Sequence, residues 1–160
     1  AELEGEPVLQ KPPSPSGIHR HVAFTSRDST TGVTVQVDLY GTQQGRRRPD
    51  GGVVNGGYTL DLAGNHQRLE IRAWASELRM MQRTPCAWER NTWSTVKLRV
   101  DLEAERGVSR AAVWPRDTPV PADWTLDAVV PLHSRHGAPG VYGYSPVDIY
   151  YDNYKVTVNE

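Results

Sequence analysis

The chain has 160 residues, a formal net charge of -1 and a pI of about 6.6. This length fits one domain with a proper hydrophobic core, and the near-neutral charge gives no global field that favours nucleic acid or an anionic membrane. No apolar run approaches the ~18 residues of a membrane-spanning helix, and the single cysteine, Cys86, cannot form an internal disulfide.

The first 17 residues are acidic and then Pro-rich, and they do not read as a signal peptide. Their abrupt start suggests that an upstream segment is missing. We predict an N-terminal arm or edge strand over residues 1–17 and a single β-sandwich domain over residues 18–160. In that domain a short strand is predicted over His21–Ser26, and a strong one over Gly32–Tyr40, where four aliphatic residues alternate with polar ones.

The central stretch of the chain predicts two strands joined by a polar turn, followed by a third short strand, over Tyr58–Thr84. In the second of these strands, period-2 alternation is evident, as expected where one face of a strand packs on a core. The apolar set is Leu69, Ile71, Ala73 and Ala75, and the opposite set is Arg68, Glu70, Arg72 and Trp74. Two guanidiniums, a carboxylate and an indole on one face form a candidate ligand platform.

The rest of the chain continues as short strands separated by Gly- and Pro-rich loops. Strands are predicted over residues 92–101, 108–114, 125–130, 140–144 and 147–158. With about ten to twelve strands and no helical periodicity, the sequence predicts an all-β sandwich, or jelly roll, of two antiparallel sheets.

Three C-terminal segments, WSTVKLRVD, AAVWPRDTPVPADWTL and GVYGYSPVDIYYDNYKV, resemble the concanavalin A-like lectin/glucanase sandwich. The resemblance is to its laminin-G-like branch, which includes family-16-type and 3-keto-disaccharide-hydrolase-like domains. Over residues 5–158 the chain is similar to domains appended to exported bacterial PQQ-binding-like β-propeller proteins. The segment most similar to those domains is GRRRPDGGVVNGGYTLDLAGNHQRLEIRAWASELRM. The resemblance implies a concanavalin A-like fold, a periplasmic or extracellular location and a parent β-propeller as partner.

The Arg72 and Trp74 face is the main candidate for a carbohydrate site, with Tyr58 and Tyr144 as flanking aromatics. Sugars present an apolar C–H face and a rim of hydroxyls, so their sites combine aromatic platforms with planar donors. The structural alternative is that Arg72 pairs with Glu70 or Asp61 across strands while Trp74 packs.

The short basic run in the loop before this stretch contributes Arg46 and Arg48 as predicted rim cations. Arginine grips carboxylates or sulfates in bidentate fashion, which would suit an acidic glycan. The alternative is a solvated loop. Nucleic acid is disfavoured because no interleaved set of stacking aromatics accompanies the run.

Paired carboxylates would indicate a glycosidase, and the closest pattern is Asp101-x-Glu103-x-Glu105. It lies at a predicted hairpin end, where charges face solvent, and it departs from the family-16 order of Glu-x-Asp-x-Glu. The histidines are scattered, and the pair His133 and His136 alone is poor evidence for zinc.

Asp152 is the remaining carboxylate of interest, on the terminal strand and, by alternation, on the same face as Tyr154, which we interpret as the inward face. Related sandwiches hold a structural calcium against this strand, so the resemblance implies Asp152 as a calcium ligand. Calcium needs six to eight oxygens, and the alternative is a carboxylate bonded to loop backbone.

These observations predict a non-catalytic carbohydrate-binding accessory domain of an exported bacterial protein. Two alternatives remain from the sequence. One is a structural or docking module in a larger protein or assembly, and the other is a glycoside hydrolase-like enzyme with two carboxylates in one cleft.

Overall fold

The computed structural model describes residues 1–14, 20–26, 32–74, 78–130 and 137–160, and it leaves out the side chains of residues 74 and 78–80. This part of the chain is all-β, and it contains no helix long and apolar enough to cross a bilayer. The strands are β1 (Glu2–Leu3), β2 (Glu6–Pro7), β3 (Leu9–Lys11), β4 (Arg20–Phe24), β5 (Val33–Gly41), β6 (Asp50–Asn55), β7 (Tyr58–Ala63), β8 (Arg68–Trp74), β9 (Leu78–Pro85), β10 (Trp93–Leu102), β11 (Gly107–Pro115), β12 (Leu126–Val130), β13 (Gly140–Tyr144) and β14 (Ile149–Val158).

Twelve of the described strands form two six-stranded antiparallel sheets packed face to face. Sheet I has the strand order β12-β11-β10-β5-β14-β3, and sheet II has the order β4-β13-β6-β7-β8-β9. β1 and β2 pair separately as a small hairpin. The chain crosses repeatedly between the sheets, as in jelly rolls. The prediction of a jelly-roll sandwich of two antiparallel sheets is therefore confirmed.

The core lies between the sheets because alternate residues of the central strands are apolar. Val35, Val37 and Leu39 of β5 and Leu69 and Ile71 of β8 belong to one core cluster, and all five are fully buried. Each such side chain contributes about 1.5–3 kcal/mol relative to its exposed state. The alternation seen in the sequence therefore predicts the inward faces of both strands.

The side chain of Asn55 is one of the buried polar groups that connect the two sheets. Asn55, at the end of β6, is 1% exposed, and its amide donates hydrogen bonds to the carbonyl oxygens of Val33 (2.8 Å) and Leu98 (3.0 Å) in sheet I. A buried amide is stable only when its donors find acceptors. Asn55 thereby fixes the end of β6 against β5 and β10.

The N-terminal segment contributes an edge strand to sheet I. β3 pairs with the first residues of β14, from Ile149 to Tyr151. Lys11 lies beneath this edge, 8% exposed, and its ammonium donates to the carbonyl oxygens of Ser145 (3.1 Å) and Pro12 (3.0 Å).

A β-bulge in β14 changes which way its side chains point. The register with β5 shifts between Asp152 and Lys155, and Asn153 has a φ of +49°. Before the bulge Tyr151 is inward and buried, whereas after it Tyr154 packs on the core. The expectation that Asp152 faces inward with Tyr154 is therefore wrong, because the extra residue reverses the alternation.

Several predictions fall outside the described residues. They concern the Trp74 side chain, the loop with His133 and His136, the residue Ala75 and the turn over residues 15–17.

Candidate functional site

The outer side of sheet II carries a set of charged and aromatic residues that we call the polar face. Residues directly opposite each other on antiparallel strands point to the same side, so the register identifies the members. They are Arg20 on β4, Tyr142 and Tyr144 on β13, Asp50 on β6, Asp61 on β7, and Arg68, Glu70 and Arg72 on β8.

Arg72 is the centre of the polar face. Its guanidinium donates to Asp61 Oδ2 (2.8 Å), to Glu70 Oε2 (3.0 Å) and to the hydroxyl of Tyr142 (3.3 Å). Arg68 forms an ion pair with the other oxygen of Glu70. The two carboxylates come from directly opposed residues of β7 and β8, so Arg72 bridges both of them and Arg68 adds a second positive charge beside Glu70.

This network is buried although it lies on the outer side of a sheet. Asp61, Glu70, Arg72 and Tyr142 are each at most 6% exposed. Burial raises the pKa of Asp61 to about 7; the Asp50 carboxylate adds to the rise and Arg72 opposes it. The cost of removing a carboxylate from water thus exceeds its attraction to Arg72 at this position.

Apart from Arg68 Nε and Glu70 Oε1, which face each other in their ion pair, two buried polar atoms in the network lack a hydrogen-bond partner among the described residues. They are Oδ1 of Asp61, an acceptor, and Nε of Arg72, a donor. Buried polar atoms are normally paired because leaving one unpaired costs about 1–3 kcal/mol. The polar face therefore holds one fixed donor and one fixed acceptor in the same ion pair.

A more exposed rim borders this buried floor along β4 and β13. The guanidinium of Arg20 lies 5.4 Å from the ring centre of half-buried Tyr144, and Arg20 also bonds the Tyr142 hydroxyl. Phe24, on the same side as Tyr142, is 65% exposed. The rim thus combines two aromatic rings with the guanidinium of Arg20, which connects the exposed rim to the buried Tyr142.

The structure brings together only some of the residues predicted for this site. Arg72 and Tyr144 share the polar face, and Arg72 has both of the carboxylate partners expected from the structural alternative. Tyr58 lies on the opposite side of β7, 2% exposed in the core, because it is the register partner of Ala73 rather than of Arg72. It therefore cannot flank Arg72.

The loop cations lie apart from the polar face. Arg46 is exposed in a tight turn closed by the bridge between Gln44 and Arg47. Arg48 is half-buried, and it donates to Gln43 Oε1 (3.0 Å) and to the carbonyl oxygen of Trp88 (3.3 Å).

The proposed calcium ligand, Asp152, lies on the outer side of sheet I opposite Asp38. Its Oδ1 accepts the backbone N–H of Asn153 (2.7 Å), while Asp38 accepts from Thr95 and from the Asn153 amide. The described residues contain no group of three or more His, Cys, Asp or Glu side chains that could hold a metal ion.

The hairpin carboxylates are used in surface ion pairs. Asp101 accepts from Arg99 and Arg110, and exposed Glu103 pairs with Arg106. The sequence reasoning assigned no site role to Asp61, Tyr142, Arg20 or Phe24. For Asp61 a signal existed, since a lone Asp in the apolar run YTLDLA is costly unless it is paired.

The chain matches no protein-family model and no curated protein. Among solved structures, it superposes on part of a bifunctional GH43-CE protein from Bacteroides eggerthii with a TM-score of 0.54 and 10% identity, covering 81% of this chain and 19% of that chain. At this identity the similarity shows a shared fold alone.

Two other solved structures align over most of the chain at lower similarity. The galectin LEC-6 of Caenorhabditis elegans has a TM-score of 0.47 and 10% identity, over 90% of this chain and 96% of that chain. The CBM40 of Ruminococcus gnavus IT-sialidase, bound to α2,3 sialyllactose, has a TM-score of 0.38 and 15% identity, over 95% and 93% of the two chains.

Proposed function

We propose that the protein is a carbohydrate-binding domain and that its polar face is the binding site. The observation that carries the proposal is the exposed rim of this face, where Phe24 and the Tyr144 ring with its Arg20 guanidinium border the buried Arg72 network. A sugar hydroxyl both donates and accepts hydrogen bonds. The hydroxyls of a sugar can therefore bond polar groups of the rim while its ring packs on an aromatic side chain.

The rim supplies the apolar part of such a site. Phe24 and Tyr144 offer aromatic surface for the C–H face of a sugar ring, and Arg20 offers planar donors at the same edge. Arg72 is preorganised by its two carboxylates, so binding costs little side-chain entropy there. Fold alone would not assign this role, because one fold hosts many functions.

A glycan-array screen of the purified domain, followed by titration calorimetry with the glycan that binds, tests the proposal. Tyr144→Ala and Phe24→Ala each remove an aromatic contact from the rim and should weaken binding about tenfold. Arg72→Lys keeps the charge but loses the planar fork, and it should weaken binding at least as much.

Val129→Ala is the matched control, since Val129 is 51% exposed on the outer side of sheet I. It should bind as the unaltered protein does. If the folded domain binds no glycan, or if both rim variants bind normally, the polar face is not a carbohydrate site, and a docking module becomes the better account.

The setting of the protein is part of the same proposal. We infer that the domain works in the periplasm or outside the cell, attached to or assembled with an exported β-propeller protein. Localisation of the tagged full-length protein by cell fractionation tests the compartment. Recovery in the cytoplasmic fraction alone would contradict it.

Running the array with calcium and with a chelator, on the unaltered domain and on Asp152→Ala, tests the calcium proposal separately.

A second function, glycoside hydrolysis, is favoured by one observation. Asp61 and Glu70 oppose each other across β7 and β8, and the pKa of Asp61 is raised to about 7 by its burial, which would suit a general acid. Against this, both carboxylates bond Arg72. Release of aryl alcohol from nitrophenyl glycosides, lost in Asp61→Asn, would establish an enzyme. No release would leave the binding role.

A further inference from the structure

A concave site lies at the end of the sandwich, away from the polar face. It is a cleft of about 770 Å³ between the connection from β9 to β10 and the end of β11, a volume in the usual range for small-molecule sites. Its apolar walls are Trp88, Trp114 and Pro115. The polar residues lining it are Arg48, Gln67, Glu89, Arg90, Thr92 and Ser94.

The floor of this cleft is held rigidly at Trp88. The indole packs so closely on the backbone of Gly41 that a Cβ at that position would lie 2.3 Å from the ring. The backbone N–H of Trp88 donates to Gln67 Oε1 (3.1 Å), and the Gln67 amide donates to the carbonyl oxygen of Gly64 (2.7 Å). The connection is thereby fixed from both sides before any ligand arrives.

The charge in the cleft is unbalanced. Half-buried Arg48 bonds only neutral acceptors, Gln43 Oε1 and the Trp88 carbonyl, and it forms no ion pair within the described residues. Arg90 adds a second guanidinium on the lining, against a single carboxylate, Glu89. A partly desolvated guanidinium without a carboxylate favours an anion, which it binds through charge-assisted hydrogen bonds.

Other groups in the cleft indicate that this anion belongs to a sugar. The indole Nε1 of Trp88, in a side chain 93% removed from solvent, has no acceptor among the described residues. Thr92 and Ser94 provide hydroxyls, and Glu89 can accept from ring hydroxyls but would repel a dense dianion. The volume is also larger than a simple inorganic anion requires.

We propose that this cleft binds a uronic acid residue, with its carboxylate at Arg48 and its ring against the apolar wall of Trp88, Trp114 and Pro115. The site is independent of the polar face. If the domain binds a glycan through its polar face, the cleft adds a preference for acidic glycans. If the polar face binds nothing, the cleft proposal still stands on its own geometry.

The test is a titration followed by two-dimensional ¹H–¹⁵N NMR on the full chain, with sodium glucuronate and with glucose as the neutral sugar of the same ring stereochemistry. Glucuronate should shift the Trp88 Nε1–H and Arg48 Nε–H resonances, and it should bind at least about tenfold more tightly than glucose. Arg48→Gln should weaken glucuronate binding at least about tenfold, as expected for loss of one charge-assisted contact.

Arg47→Gln is the matched control, because it removes the same charge one residue away from an exposed position and should leave binding unchanged. Should Arg48→Gln lose its dispersed spectrum, Arg90→Gln provides the second variant. Equal affinity for glucose and glucuronate would overturn the proposal, as would equal affinity for sodium sulfate. Shifts confined to Tyr144, Arg20 and their neighbours would also overturn it, since they would place glucuronate on the polar face.

Discussion

The ionisation of Asp61 affects the folded state because its carboxyl is buried beside Asp50 and Glu70. Its pKa is raised to about 7, above the value of about 3.9 for an unfolded chain. The folded state therefore holds the proton more tightly. The resulting stabilisation is complete below about pH 4 and is lost as the pH rises through about 7. Over that range the loss is on the order of 4 kcal/mol.

We therefore expect the free energy of unfolding of the unaltered protein to fall between pH 4.5 and 7.5, approximate limits of this titration. In Asp61→Asn, which cannot ionise, this part of the fall should be absent. Urea unfolding at several pH values measures both, with Asp123→Asn, in an exposed loop, as the control. Parallel curves for the unaltered protein and Asp61→Asn would show that Asp61 titrates near its ordinary pKa.

Asn55 is a second buried polar residue, and the packing of β6 on sheet I depends on its side chain. Asn55→Ala removes both hydrogen bonds that join β6 to sheet I and leaves two carbonyl oxygens without that donor. We expect the free energy of unfolding to fall by about 2–4 kcal/mol. Thermal and urea unfolding measure the change. Gln82→Ala, on an exposed position of β9, should change it by less than about 0.5 kcal/mol.

At the scale of the strand, period-2 alternation predicts most of the elements and their inward faces. Val35 and Leu69 are examples, since both are apolar, alternate with polar residues and are fully buried. Alternation cannot predict a bulge, which inserts one residue without a marked sequence signal. That is why the orientation of Asp152 was missed. Nor can it reveal that Arg72, on the polar side of β8, is buried by cross-strand partners.

The bulge in β14 leads to a separate prediction about stability. Asn153 adopts a left-handed φ of +49°, and its amide donates to Asp38 Oδ2 (2.8 Å). Asn153→Val places a β-branched residue in that conformation and also removes the hydrogen bond, so stability should fall by about 2–3 kcal/mol. Asn153→Gly loses only the hydrogen bond and should cost about 1 kcal/mol. Equal losses in the two variants, measured by urea unfolding, would show that backbone strain is not the cause.

For the molecule as a whole, the two proposed sites lie at different places on the sandwich. Sheet II presents the polar face, whereas the cleft lies where β9, β10 and β11 meet at one end of the sandwich. The sequence predicts the first location through Arg72 and Tyr144. It does not predict the second, because Arg48 and Trp88 come from two connections and Trp114 from the end of β11, which are distant along the chain. Only the topology places them side by side.

The N-terminal segment protects one edge of the sandwich, so its removal shows how far stability and the monomeric state depend on that edge. β3 covers the first residues of β14, and Lys11 and Gln10 anchor it through Ser145 and Asp148. Beyond Asp152, β14 pairs only with β5 among the described strands. Deleting residues 1–11 would leave the whole length of β14 as an open edge, and open edges pair with other chains.

We therefore expect deletion of residues 1–11 to lower the free energy of unfolding by about 2–5 kcal/mol, because it removes β3 together with buried Lys11 and Val8. The shortened protein should also self-associate, as measured by size-exclusion chromatography with light scattering. Deletion of residues 1–5 is the control, because it removes β1 and leaves β3 intact. If both shortened proteins stay monomeric and equally stable, β3 does not protect this edge, and the sandwich is complete without its N-terminal strand.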